Sequence, residues 1–498
     1  MLTRSNHVLL YGIPILFLII YFQIFSGDFA YLDEAYALWH NDDKTNYNAT
    51  QGRWLSGLIF QFFFSSISRI AELKWLRLVS WAGWIITSLA WTHIFRKWVH
   101  WLGLPKEMEW IAPVFVVCSI SVGINIGWAA CMEIFLGVLA GLVSGHILFA
   151  CLHNQKDKIQ LPNTTILCSL FLGVISLSIY QSSYGVFLIP FFLHYMLGKK
   201  IKPDKIVIIA VGLYLVTFVV YYFLFTYSLK LYHLQASNRT EIHVNVLKKI
   251  SFFFSGPLPQ GFSLNLLFSA SSIFSQIFYV LVFGSWIILV FRRNKRRGIR
   301  DNILYICFIL FLLALVYLPS MVAAENFPPY RTLFAFNLAV FILVVDNFLF
   351  VLQRQRQRRI FVWSVSSWLL VTGFYNFNFQ FVNPLRKEYK ILRTFVEARY
   401  RPGVRDVYFV RADKFLFANQ FHTRVYRDEF GAPSTYRDWV PEPITKQLIF
   451  EITNSRTMAD RINVIQFENL GLFTKSKPVL DSNSLFIDMN ELFYSKND

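Results

Sequence analysis

Tyr31 to Leu55, YLDEAYALWHNDDKTNYNATQGRWL, gathers Asp33, Glu34, Asp42, Asp43 and Arg53 directly after the first apolar run of the chain. Carboxylates pressed against a membrane surface are costly unless they have a task. Adjacent acids suit general-base work, and a planar guanidinium suits a phosphate. A second group lies far downstream, with Glu325 and Arg331 in AAENFPPYRTLF. Arg331 follows Pro328 and Pro329 at the start of an apolar helix, where a positive charge opposes the helix dipole, so a purely structural role explains it poorly. Glu133 in WAACMEIFLGVLAG and the pair Tyr180 and Gln181 complete the polar residues near the ends of apolar segments.

Each residue also has a plainer reading. Asp33 and Glu34 would serve as a helix cap with a solvated face, and Arg53 would snorkel at the interface. Asp42 and Asp43 in HNDDKTN read first as a solvated turn. Glu133 suits a paired structural role as well as a functional one, and His146 and His194 read as satisfied structural histidines.

The elements that must position these residues are membrane helices. Of 498 residues, 55% are hydrophobic and only 16% charged, and mean hydropathy is +0.43. The apolar residues fall in long runs, with segments of about 20 residues each taken as one span. Spans are expected near 8–25, 77–95, 110–126, 129–151, 164–180, 183–198, 206–228, 265–291, 302–322, 332–352 and 361–381, roughly eleven in all. The first reads as a retained signal anchor, since no small-residue cleavage pattern follows it. The run at 57–70 is too short to span and is expected to lie in the interface or re-enter the bilayer.

The net charge of +18 sits largely in FRRNKRRGIR at 291–300 and QRQRQRR at 353–359, which are topology signals and sites of lipid contact rather than nucleic-acid patches. With those loops cytoplasmic, alternation puts HNQKDK, GKKIKPDK and the N-terminus inside. Segment 26–76, loop 229–264 with its GPLPQG breaker, loop 323–331 and everything after residue 381 then lie outside.

Residues 385–498 become charged and mixed, as in a soluble α/β domain. LRKEYKILRTFVEARY and EPITKQLIFEITN have helical spacing, while DVYFVRA, INVIQF and SLFIDM read as strands. The fold class is thus an all-α polytopic membrane domain over 1–384 with a small C-terminal α/β extracytoplasmic domain over 385–498. The five cysteines, 118, 131, 151, 168 and 307, lack metal-ligand spacing and read as small core residues. No internal repeat and no Gly-rich phosphate loop is evident.

Carboxylates and arginines at one mouth of a helix bundle suit glycosyl transfer from a polyprenyl-phosphate sugar. One base takes the acceptor proton and cations hold the departing phosphate. Asp33 or Glu34 would be the base, with Arg53 and Arg331 on the phosphate. Tyr180, Gln181, Glu133 and Glu325 are further substrate-binding candidates. The reaction needs no nucleotide site, no cofactor is identified, and a divalent metal would be compatible. The alternatives are a flippase for lipid-linked glycan, which calls for more charge deep in the spans, and a glycan polymerase or ligase, which needs no paired acids after the first span.

Four segments resemble one family. YLDEAYAL, GRWLSGLIF, LSLSIYQSSYGVFL and ENFPPYRTLFAF are similar, in order and spacing, to the first-loop acids, the Gly-Arg segment, the Tyr-Gln motif and the late Arg-bearing helix start of the bacterial O-antigen glucosyltransferases of phage-type serotype conversion. That resemblance implies a GT-C-type enzyme of the bacterial inner membrane that uses polyprenyl-phosphate glucose on the periplasmic side and carries its catalytic acid at Asp33 or Glu34. The sequence departs from the family at Tyr36 and Ala37, where an Arg is common, and has Asp-Glu in place of Asp-Asp.

Overall fold

The computed structural model describes residues 4–26, 28–155, 161–198, 202–242, 245–426, 429–476, 478 and 480–494. Parts of the basic connections expected at HNQKDK and GKKIKPDK, and the side chains of Asp42 and Asp43, lie outside the described residues. Among those described, eight helices are long and apolar enough to cross a membrane: Ile70–Leu102, Met108–Gly127, Ala129–Asn154, Lys205–Leu231, Ile273–Arg293, Ile299–Val316, Phe334–Val351 and Gln355–Arg399. The chain is therefore a multi-pass membrane protein in character. The expected segments at 8–25 and 164–180 form the shorter apolar helices Tyr11–Phe25 and Asn163–Ile179. Segment 183–198 begins within a 3-10 run, Gln181–Leu188, and ends in the helix Ile189–Leu197. The run at 57–70 supplies Trp54–Phe64, only 11 residues long.

Burial sorts these helices into layers. Over the 18-residue apolar stretch of each helix, 94% of residues are buried in Met108–Gly127 and 78% in Phe334–Val351, against 22% in Ile273–Arg293, so the first two form the centre and the last faces outward. The central helix Met108–Gly127 breaks at Ser119, whose backbone is extended (φ −60°, ψ 134°). Asn265 fills the break, donating to the Cys118 carbonyl at 2.8 Å and accepting from the Ile120 N–H at 3.0 Å. A broken helix is tolerated inside a bilayer only when neighbours satisfy the freed backbone in this way.

At one end of the bundle the basic connections are knitted together. Arg293 pairs with buried Asp346, Arg297 donates to the Gly198 carbonyl at 3.4 Å, and Arg358 lies 3.8 Å from Glu107. At the other end the helix Gln355–Tyr375 passes through a π-helical turn, Asn376–Val382, into Asn383–Arg399. The 45 residues of this rod span about 67 Å at 1.5 Å per residue, more than twice the ~30 Å hydrocarbon core, so its far half projects beyond the bundle.

The projecting half carries a three-stranded parallel sheet of β1 (Asp406–Val410), β2 (Asn463–Phe467) and β3 (Ser484–Asp488) in the order β2-β1-β3. Val407 is in register with Val464 on one side and Leu485 on the other. The strands and the helices Asn383–Arg399 and Pro441–Thr453 match the expected ones closely.

Several local expectations are corrected. Asp42 and Asp43 lie within a helix, Asn41–Thr50, rather than a turn. PLPQGF is itself a short helix, Pro257–Phe262, because proline is well tolerated in a first turn. Of the cysteines, Cys118 and Cys131 are buried, but Cys168 and Cys307 are exposed on outward-facing helix surfaces, where a small apolar side chain suits lipid.

Candidate active site at the end of the bundle

The first acids are set by a strained turn. Leu32 has φ +45°, a left-handed conformation costly for a leucine. Its N–H donates to Ser434 Oγ at 3.2 Å, and the neighbouring Tyr31 hydroxyl reaches the Glu429 carbonyl at 3.3 Å. The Tyr31 ring packs edge-on against Trp128 and Phe381, at 5.1 and 4.9 Å between centroids. The C-terminal region thus holds the turn that presents Asp33 and Glu34.

The turn sends the two acids to different surroundings. Glu34 is fully buried and meets equally buried Arg77 at 2.6 Å. Its carboxylate also accepts from the N–H groups of Tyr31 (2.7 Å) and Ala129 (2.5 Å). Arg77 spends further donors on the carbonyls of Gly127 (2.9 Å) and Phe29 (2.8 Å). Burial pushes the Glu34 carboxyl up to about 7, against the pull of Arg77 and the two N–H donors. This saturated pair ties the loop to two helices and leaves Glu34 no access to a substrate. Asp33 is half-buried, and its Oδ1 accepts from the Trp128 indole N–H at 3.0 Å.

Arg53 comes from the other end of the same loop. Gly52 has φ +78°, and a side chain there would collide with the Tyr221 hydroxyl, 2.1 Å from a built Cβ. Tyr221 donates to the Gly52 carbonyl at 2.9 Å, and Gln181 Nε2 donates to the Gln51 carbonyl at 2.6 Å and to Tyr221 at 2.8 Å. Gln181 then accepts from Arg53 Nε at 3.2 Å, and the guanidinium lies 4.4 Å above the Tyr180 ring. Gln181 and Tyr180 therefore form the bracket that aims Arg53. One helical turn on, Ser56 Oγ donates to Glu133 Oε1 at 2.5 Å, which brings buried Glu133 beside the same element.

Arg331 enters on the 3-10 turn Tyr330–Thr332. It bonds Glu429 Oε1 at 2.8 Å, while Glu429 Oε2 takes the Tyr330 N–H at 2.5 Å. Burial raises the Glu429 carboxyl, with Arg331 the first of the opposing influences. An acid from the C-terminal region thus answers the mismatch between Arg331 and its helix start. The Arg331 guanidinium also lies 4.9 Å above the Trp128 ring. One indole therefore holds Asp33 by its N–H and Arg331 by its face.

These residues share one centre. Asp33, Arg53, Glu133 and Arg331 all lie within electrostatic reach of Cys131, at the head of the Ala129–Asn154 helix. Glu325 does not join them, since it faces Arg239 at 3.7 Å in a half-exposed pair. His146 and His194 lie elsewhere, in contact with Trp98 and Asp204 at 3.2 and 2.6 Å. Among the described residues, no group of three or more His, Cys, Asp or Glu side chains could hold a metal ion.

Sequence reading passed over Arg77, Trp128, Ser56 and Glu429. Arg77 had a usable signal, a charge at the first position of the expected span 77–95. Glu429 had none, being one acid among many in a charged region. The arrangement offers a half-buried carboxylate, two guanidinium groups and a buried acid around one floor. A scan against protein-family models and a search of curated proteins return no match to this chain.

Proposed function

We propose that this chain is an integral-membrane glycosyltransferase that moves a hexose from a polyprenyl-phosphate donor to a hydroxyl of a surface glycan. The observation that supports the reading is Trp128, whose N–H bonds Asp33 at 3.0 Å and whose ring lies 4.9 Å from the Arg331 guanidinium, so the residue proposed as base stands near the one proposed to bind phosphate. In the reaction the acceptor oxygen bonds to the anomeric carbon while the bond from that carbon to the phosphate oxygen breaks. Asp33 takes the acceptor proton, and Arg53 and Arg331 hold the departing lipid phosphate. The guanidinium fork of Arg331 keeps donors for phosphate beyond the one given to Glu429.

Glucose and an O-antigen-type acceptor are carried only by the sequence resemblance. The same reading includes eleven spans in a bacterial inner membrane and a cytoplasmic N-terminus. It also makes 385–498 a periplasmic domain that covers the site or recognises the acceptor.

Purified protein in lipid nanodiscs, given radiolabelled polyprenyl-phosphate glucose and extracted glycan, should move label onto the glycan. Asp33→Asn should abolish that transfer, and undiminished turnover would sink the base assignment. Movement of intact lipid-linked glycan between leaflets, without sugar transfer, would replace the reading with flipping. A reporter fused after residue 381 should be active only outside the cytoplasm.

A further inference from the structure

Tyr180 is only 3% exposed, yet its hydroxyl has no hydrogen-bond partner among the described residues. Buried hydroxyls are almost always paired, and leaving one unmade carries a desolvation cost. The ring is fixed from above by the Arg53 guanidinium at 4.4 Å. Arg331 and Glu429 are also within electrostatic reach of this phenol. A buried O–H donor without a partner, on a ring that lies under one guanidinium, suits an acceptor with several oxygens and negative charge.

We infer that the Tyr180 hydroxyl is a third donor to the ligand's phosphate, beside Arg53 and Arg331. The inference rests on the phosphate-site reading above and adds a residue whose role there is separable. A phenol keeps its proton at neutral pH, so Tyr180 donates without titrating. It adds one further directional donor to the forks that the arginines offer.

The test compares full-length wild type and Tyr180→Phe in nanodiscs, with undecaprenyl phosphate, the neutral alcohol undecaprenol and inorganic phosphate as probes. Phe keeps the ring under Arg53 and removes only the unpaired hydroxyl. Melting temperature without probe should therefore hold or rise, while affinity for undecaprenyl phosphate falls about tenfold. Undecaprenol binding should not change. Inorganic phosphate losing affinity in parallel would identify the free anion as sufficient, and loss with the lipid alone would require the tail; both support the donor role. Equal affinity of the two proteins for undecaprenyl phosphate would overturn the inference and leave the phosphate site standing. A lower melting temperature without probe would overturn it too, by revealing a partner within the protein. If wild type binds undecaprenyl phosphate no better than undecaprenol, the inference falls together with the reading beneath it.

Discussion

Arg331 and Glu429, 98 residues apart in sequence, meet at 2.8 Å with the Glu429 side chain fully buried. Removing one partner of such a pair leaves an uncompensated charge, at a cost of about 3–5 kcal/mol. Glu429→Ala is expected to lower the melting temperature sharply and to weaken donor binding, because Arg331 loses its anchor. Calorimetry with a donor-binding isotherm checks both. A variant that stays as stable as wild type would show that the C-terminal region merely rests on the site.

Glu34 and Arg77 form the second buried pair, at 2.6 Å. Glu34→Ala should destabilise by about 3–5 kcal/mol, and replacing both by apolar residues, Glu34→Leu with Arg77→Met, should not recover that loss, because the N–H groups of Tyr31 and Ala129 and the carbonyls of Gly127 and Phe29 lose their partners. Asp33→Asn should leave stability near wild type. Chemical unfolding of the three variants separates a structural acid from a reactive one, and a Glu34→Ala protein that is stable but inactive would return Glu34 to the chemistry.

These two pairs also mark what the sequence could disclose. Apolar runs revealed the central helices and alternating patterns revealed β1, β2 and β3, because burial acts on long stretches of similar residues. The break at Ser119 left no such trace, since its cost is met by Asn265, which lies 145 residues away from Ile120. Asp33 and Glu34 look equivalent as neighbours, and only the turn at Leu32 and the position of Arg77 separate them. Arg53 and Arg331 were legible because charge is scarce around them. Glu429, Trp128 and the Gln181 bracket depend on distant packing, which no local pattern encodes.

Trp128 gives a sharper test of the base. Trp128→Phe keeps an aromatic face for Arg331 and Tyr31 but removes the N–H that holds Asp33. A hydrogen bond to a charged group contributes about 1.5–3 kcal/mol, so kcat should fall by about 10- to 100-fold while the KM for donor changes little. Steady-state kinetics with labelled donor reads both. A rise in KM with kcat intact would mean that the indole serves binding through Arg331 instead.

Gly52 is where backbone conformation meets the site most directly. Its φ of +78° favours glycine, and a Cβ would sit 2.1 Å from the Tyr221 hydroxyl and 3.1 Å from Gln181 Nε2. Gly52→Ala must therefore displace both members of the bracket that aims Arg53, besides a conformational cost of about 1 kcal/mol. The expected outcome is a modest fall in melting temperature with a several-fold higher KM for donor and a lower kcat, since Arg53 holds the phosphate as its charge develops. Tyr221→Phe in the Gly52→Ala background should restore part of the stability, because the hydroxyl that collides is gone. If Gly52→Ala instead binds donor as wild type does, the bracket does not position Arg53, and the phosphate would depend on Arg331 alone.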